Sequence, residues 1–438
     1  MDKTINVKKI NTEEILLLML IVSSSMMIIK YSIFTLFFLV MLIILGCIYL
    51  KKKQIFLTRD CWVNYIFIEL CISTVCTLFS NIWTSYKKCA IIVTFLYIPI
   101  YFIYAYFEKE LCANTRMFVY VRKAIKCACM IELIWCFMQF LLYHGAGIDI
   151  NNVLFADTFH FVDVASCFKD GKFLPSGFCW HAAYMAPIVV YSYLFFDSPA
   201  VKLLAIADAV LCGNSTALIG VSACVCLDMA FRLMRIIRAK RINIKKIVFW
   251  CFFIALIIMI YVLIKYQIVK YVWDKVWFTI LRATGGVEDA SADAHIRYYT
   301  SYFKVLDFSS ILQIIFGFGF GCSGYPFSVI FDQYTYMKSW VTETDIMNIL
   351  LSRGILGFIG YYGFLFYIAL KGLKLDYRYL VLIMSIIVCG ITYNIQFDWV
   401  FLFELFLYLS VRCNINIFQN VKGINYHECK NDYNYSDI

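Results

Sequence analysis

The sequence predicts an all-α, polytopic integral membrane protein with about twelve transmembrane helices and two long outer loops. Of its 438 residues, 63% are apolar or aromatic and only 16% are charged, and apolar segments near spanning length recur from one end to the other. Mean hydropathy is +0.77. Soluble globular chains carry charge on roughly a quarter of their residues, so a cytosolic enzyme is excluded. A disordered chain is excluded as well, because Leu, Ile, Phe and Val dominate and Pro is scarce. The whole of 1–438 reads as a single membrane domain.

The apolar segments lie at about 14–29, 32–50, 61–80, 89–106, 124–143, 181–196, 200–213, 216–232, 247–265, 344–370, 379–394 and 397–411. The first is expected to stay in the membrane, because it lacks a small-residue cleavage site and a second apolar run follows directly after Lys30. Basic residues orient the set. Lys3, Lys8 and Lys9, then Lys51 to Lys53, then Lys109, Arg116, Arg122 and Lys123, then Arg232 to Lys246, then Lys371, Lys374 and Arg378 all fall on one side if the spans alternate. Both termini are therefore expected in the cytoplasm, with Lys87 and Lys88 a small exception. The formal net charge of +10 thus reports topology, and no nucleic-acid partner is expected.

Two outer loops, at about 144–180 and 266–343, are too long to be simple connectors. The first is acidic, with Asp149, Asp157, Asp163 and Asp170. The second mixes signs and is rich in Tyr, Trp and Phe. Rings beside hydroxyls and acids suit a sugar-binding surface; an interfacial aromatic belt explains any single ring equally well. Between the segments at 200–213 and 216–232, Gly213-Asn214-Ser215-Thr216 marks either a polar break at membrane depth or an ordinary tight outer turn.

Ionisable groups near the outer face are the leads for chemistry, since charge in or beside a bilayer is costly. Lys172-Phe-Leu-Pro-Ser176-Gly177-Phe-Cys-Trp-His181 runs straight into a span, so His181 sits at a helix mouth. There it has either a general base's role or that of a hydrogen-bonded structural residue. In the second loop, His295-Ile-Arg297 to Lys304 reads as a surface helix with Arg297 and Lys304 two turns apart on one face. Two such cations could clamp a diphosphate, Arg being the better because its planar fork binds phosphate oxygens bidentately and keeps its charge; a solvated amphipathic helix is the plainer alternative. Glu343-Thr-Asp345 opens the tenth segment, where two acids could cap the helix or handle a sugar hydroxyl. Lys172, Ser176, Gly177, Ser215, His295 and Lys304 are the expected substrate contacts, and Arg297, His181, Glu343 and Asp345 the expected catalytic set.

Phe-Gly317-Phe-Gly319-Phe-Gly321-Cys-Ser-Gly324 contains G-x-G-x-x-G, but without a βαβ unit it is no dinucleotide fingerprint. A flexible turn able to approach a ligand closely is the expectation. Most of the nineteen cysteines sit inside apolar runs as small hydrophobes, and the pairs Cys127/Cys129 and Cys224/Cys226 have a single spacer, too short for a zinc site. No metal and no other cofactor is expected. Cys167, Cys179 and Cys322 fall in loops, where a disulfide is weakly supported.

Taken in order, the Pro-Ser-Gly-Phe-x-x-His segment, the Ser-Thr break, the Arg of the large outer loop, the Phe-Gly-x-Gly turn and Glu-Thr-Asp before Gly-Ile-Leu-Gly resemble the bacterial O-antigen polymerase (Wzy) and O-antigen ligase superfamily. The motif resemblance covers about residues 170–370. It implies a GT-C-like glycosyltransferase of the bacterial inner membrane, with both long loops periplasmic, that acts without a metal in lipopolysaccharide or other polysaccharide biosynthesis. The implied donor and partner is an undecaprenyl-diphosphate-linked oligosaccharide held in membrane lipid, and the family also implies a chain-length regulator protein. Arg297 matches the arginine that would hold the diphosphate; His181, Glu343 and Asp345 fall at the family's polar positions. Many members carry an arginine just before Ser-Gly, where Leu174-Pro175 stands here, so Lys172 is the substitute or the site is built differently. Inverting transfer by direct displacement between lipid-linked repeat units is the expected reaction. The alternatives are an O-antigen ligase acting on lipid A core and a lipid-linked oligosaccharide flippase, which predicts charges lining a route through the spans.

Overall fold

A computed structural model describes residues 12–27, 30–31, 34–113, 115–161, 164, 168–169, 172–239, 298–330, 342, 344–395 and 399–422. Helices dominate them: α1 Thr12–Ser25, α2 Leu36–Lys52, α3 Cys61–Leu78, α4 Thr84–Ala113, α5 Thr115–Ala146, α6 Met185–Phe195, α7 Pro199–Leu211, α8 Ser215–Ala239, α9 Tyr302–Phe308, α10 Ile311–Phe316, α11 Tyr325–Ile330, α12 Asp345–Leu373, α13 Tyr377–Thr392 and α14 Trp399–Lys422. Two antiparallel ladders of two residues a side, Lys30–Tyr31 with Phe34–Thr35 and Phe168–Lys169 with Lys172–Phe173, are the strands seen. Eleven of the twelve apolar segments coincide with helices, and the twelfth, at about 247–265, lies outside the described residues.

Five stretches, Cys61–Leu78, Thr84–Leu111, Val119–Ala146, Ser215–Arg235 and Asp345–Leu373, are long and apolar enough to cross a membrane; Ala182–Phe195 and Tyr377–Thr392 are apolar but shorter. The protein is thus a helical, membrane-embedded one. It divides into two compact units, Met1–Cys224 with Phe308–Ile438, and Val225–Asp307. In the second unit, the later turns of α8 carry an Arg232–Asp228 ion pair at 2.9 Å, one turn apart.

In the first unit, helix ends rich in charge meet at one end. Lys51 at the close of α2 pairs with Glu13 at the start of α1, and Lys52 Nζ reaches Glu110 Oε1 of α4 at 2.9 Å. Arg412 of α14 donates to Asp60 Oδ2, which caps α3, at 2.7 Å and to Glu108 Oε1 of α4 at 2.5 Å. Arg378, in the first turn of α13, donates to the Leu194 carbonyl near the end of α6 at 3.2 Å, and Arg122 of α5 lies over the neighbouring Phe195 ring. The gathering of Lys51, Lys52, Arg122 and Arg378 is what alternating helices with a shared basic side require.

The α12 helix is broken. Gly354 has φ 66° and ψ −167°, backbone that only glycine adopts readily. The turn after α10 fills the break: Phe318 N–H donates to the Leu351 carbonyl at 2.7 Å and Gly319 N–H to Ser352 at 2.9 Å, satisfying carbonyls that the kink frees. Two α3 hydroxyls complete the seat, with Ser73 donating to the Ser352 carbonyl at 2.9 Å and Thr77 to that of Phe318 at 2.7 Å. A Cβ at Gly317 would lie 2.3 Å from the Ser352 backbone, and one at Gly354 2.3 Å from the Ile315 carbonyl oxygen. The glycine-rich turn is therefore not flexible. Its close approaches are to α3 and α12, and Phe318, Phe320 and Cys322 are buried.

Candidate functional site

The sequence-marked residues of the first unit collect around the last turn of α13. Gly390 is there because Asp345, first residue of α12, packs against it: a Cβ at that position would lie 2.5 Å from Asp345 Oδ2. Three residues on, the Tyr393 ring stacks on the His181 ring, with centroids 5.1 Å apart and planes 7° from parallel. Thr392 Oγ1 meets Thr216 Oγ1 at 3.2 Å, which brings in the Gly213–Thr216 segment. Three distant parts of the sequence thus touch one helical turn.

Beside Asp345 lies a buried polar ladder. Asn348 Nδ2 donates to Asn394 Oδ1 at 3.4 Å, Ser323 Oγ donates to Asn348 Oδ1 at 2.6 Å, and Thr342 N–H donates to Ser323 Oγ at 2.7 Å. Each of these side chains is buried, and amides and hydroxyls of this kind are the groups that recognise sugar hydroxyls. Asp345 itself is 3% exposed. The residue before it, Thr344, occupies the N-cap position without a side-chain cap bond. A sequence reading that weighed Asp345 as a cap could not reach Asn348 or Asn394, because their pairing depends on how α12 meets the end of α13.

His181 is half-buried and caps the turn Ala182–Tyr184, with Nδ1 accepting the Ala183 N–H at 3.2 Å. That contact uses the lone pair a neutral imidazole offers, and leaves the proton on Nε2. In this arrangement His181 presents a donor outward. Gly213 has φ 62°, and Asn214 Oδ1 accepts the Thr216 N–H at 2.8 Å, so Gly213–Thr216 is a tight, capped turn with Ser215 exposed.

Ser176 and Gly177 are held on a polar face of α5. Gln139 Oε1 accepts the Gly177 N–H at 2.8 Å and the Ser176 N–H at 3.1 Å, and Glu132 Oε2 accepts the Phe178 N–H at 2.7 Å. Asn151 Nδ2 donates to the Gly177 carbonyl at 3.2 Å and Phe178 stacks on Trp135. Gly177 has φ 66°, and a Cβ there would collide with Glu132. In the same loop, burial pushes the Asp149 carboxyl above its ordinary value, partly offset by the Asn152 and Asn151 N–H groups.

Lys172 belongs to the short ladder with Lys169. Lys304 is exposed on α9, in the second unit. Arg297, His295 and Glu343 lie outside the described residues, as do Cys167, Asp163 and Asp170; Cys179 and Cys322 are free and buried. Among the described residues, no three His, Cys, Asp or Glu side chains form a metal-holding group.

The expectation that polar chemistry is confined to the outer loops does not hold. Glu69, Glu132, Asp208, Arg353 and Glu404 are all buried within apolar helices. Arg353 Nε donates to Glu69 Oε2 at 2.8 Å, and Tyr361 Oη donates to the Glu404 carboxyl at 2.9 Å. A single acid inside a long apolar run barely lowers its hydropathy, so the signal was the residue type alone. A scan against protein-family models finds no match to this chain, and a search of curated proteins finds none either.

Proposed function

We propose that this chain is a polysaccharide polymerase of the bacterial inner membrane, joining undecaprenyl-diphosphate-linked repeat units by metal-independent, inverting glycosyl transfer on the periplasmic face, with both termini cytoplasmic. The observation that carries the reading is the meeting of His181, Asp345 and the Gly213–Thr216 turn at one turn of α13, since these are motifs the resemblance sets in order. The lipid diphosphate is a leaving group that needs no enzyme nucleophile. Arg297 stabilises its developing charge, and Asp345 or Glu343 takes the acceptor's proton as the new glycosidic bond forms. Buried amides along Asn348 and Asn394 supply the partners a sugar requires.

Deletion of the gene, followed by gel analysis of surface polysaccharide, tests this. Glycan of single repeat units supports polymerisation, bare lipid A core indicates the ligase alternative, and lipid-linked units retained on the inner side indicate a flippase. That last reading has its own support in the intramembrane Glu69, Glu132, Asp208, Arg353 and Glu404.

A further inference from the structure

We propose that Asp208 is a proton-binding site inside the membrane bundle, carrying a proton in the resting protein and releasing it to unseat α7. Asp208 is fully buried, and neither carboxyl oxygen has a hydrogen-bond partner among the described residues. It stands in the last turn but one of α7, which packs on α5 and α6.

No cation faces it. Its nearest ionisable neighbours are the thiols of Cys136 on α5 and Cys212 just past α7, with Cys179 and the Glu132 carboxyl beyond Cys136. The Met185–Phe195 stretch of α6 contains no acid, Lys, Arg or His. The one basic residue of α7, Lys202, lies over the Tyr193 ring near the helix's other end. A carboxylate there would be an uncompensated charge in a medium that cannot solvate it, whereas a neutral acid loses only a hydrogen bond. The proton is the one ligand that resolves the site without moving the helix.

The position gives that proton a consequence. The Asp208 carbonyl accepts the Cys212 N–H at 2.9 Å, so the residue sits one turn ahead of the Gly213–Thr216 turn that touches Thr392. Loss of the proton drives the carboxylate toward water and loosens α7, and with it the turn against α13. This inference is independent of whether the chain transfers sugars or moves them.

The test uses the full-length chain in lipid vesicles. Infrared spectra should show the carbonyl band of a dry, protonated carboxylic acid at neutral pH, lost in Asp208→Asn. Alkylation of Cys136 and Cys212 by N-ethylmaleimide, resolved by peptide, should rise severalfold more in wild type than in D208N from about pH 6 to about pH 9, the range that brackets a displaced carboxyl. Equal acid bands in the two proteins, or parallel alkylation, overturns the proposal. Should D208N fail to accumulate, carboxyl-labelled aspartate in the wild-type chain decides the matter: no isotope-shifted acid band means that Asp208 is ionised.

Discussion

Arg353 and Glu69 bury a complete ion pair between α12 and α3, with both Nε and Nη2 of the guanidinium on one carboxylate oxygen and each side chain no more than 3% exposed. The second oxygen, Oε1, has no hydrogen-bond partner among the described residues. The pair stands beside the Gly354 break, where the Arg353 guanidinium also lies 5.9 Å from the Phe320 ring of the inserted turn.

Removing one partner should cost far more than removing both. Glu69→Leu or Arg353→Met alone strands a buried charge and should destabilise by about 3–5 kcal/mol, while the double variant should recover most of that loss. Thermal melting in a fixed detergent measures it, and additive single effects would show that the pair is solvated.

Gly354→Ala and Gly317→Ala each force a methyl group into backbone at 2.3 Å and place Ala at positive φ. Each should cost at least about 1–3 kcal/mol and lower the yield of folded protein. Size-exclusion chromatography of the solubilised variants checks this, with Gly46→Ala, where a Cβ meets nothing within 4 Å, as the matched control.

His181→Asn keeps a side-chain acceptor for the Ala183 N–H, and His181→Ala does not. If capping is the residue's task, the Asn variant keeps normal polysaccharide while the Ala variant loses about 1 kcal/mol of stability. Loss of polymer in both variants, with stability intact, would instead assign the imidazole to proton transfer.

Arg297→Ala should abolish polymer with the protein still present in the membrane. Immunoblotting of membranes beside a polysaccharide gel separates the two effects, and full-length polysaccharide from this variant removes the guanidinium from the proposed reaction.

Asp149 supplies a pH dependence. Its folded carboxyl titrates above the ordinary value of 3.8, so the folded loop binds a proton more tightly than the unfolded chain does. The stabilisation is complete below that value and fades as pH rises through the folded one. Hydrogen exchange around Asn151 and Asn152 should speed up over that window in wild type and stay level in Asp149→Asn.

Helix positions were legible because apolar runs such as 61–80 and 124–143 declare themselves by length alone, and α3 and α5 lie where those runs do. The Pro-Ser-Gly segment and Asp345 were legible as residue types at a helix mouth. Their partners were not: Gln139, Asn348 and Asn394 lie in apolar surroundings or past a helix end, and nothing local says which distant backbone each will meet. The glycine-rich turn was seen but misjudged, since its glycines make room for Thr77 and Ser352 rather than for a ligand.

The seat between the inserted turn and α3 bears on how the chain is made. Ser73, Thr77 and Glu69 find their partners 279, 241 and 284 residues downstream. During synthesis α3 enters the bilayer long before the ribosome has produced the segment that answers it. Until then its hydroxyls can turn back on their own helix, as Thr77 does toward the Ser73 carbonyl, but its carboxylate has no such refuge. Early helices of this protein must therefore wait in a provisional arrangement, protonated or shielded by the insertion machinery, and the native bundle closes only once the chain beyond Gly354 arrives.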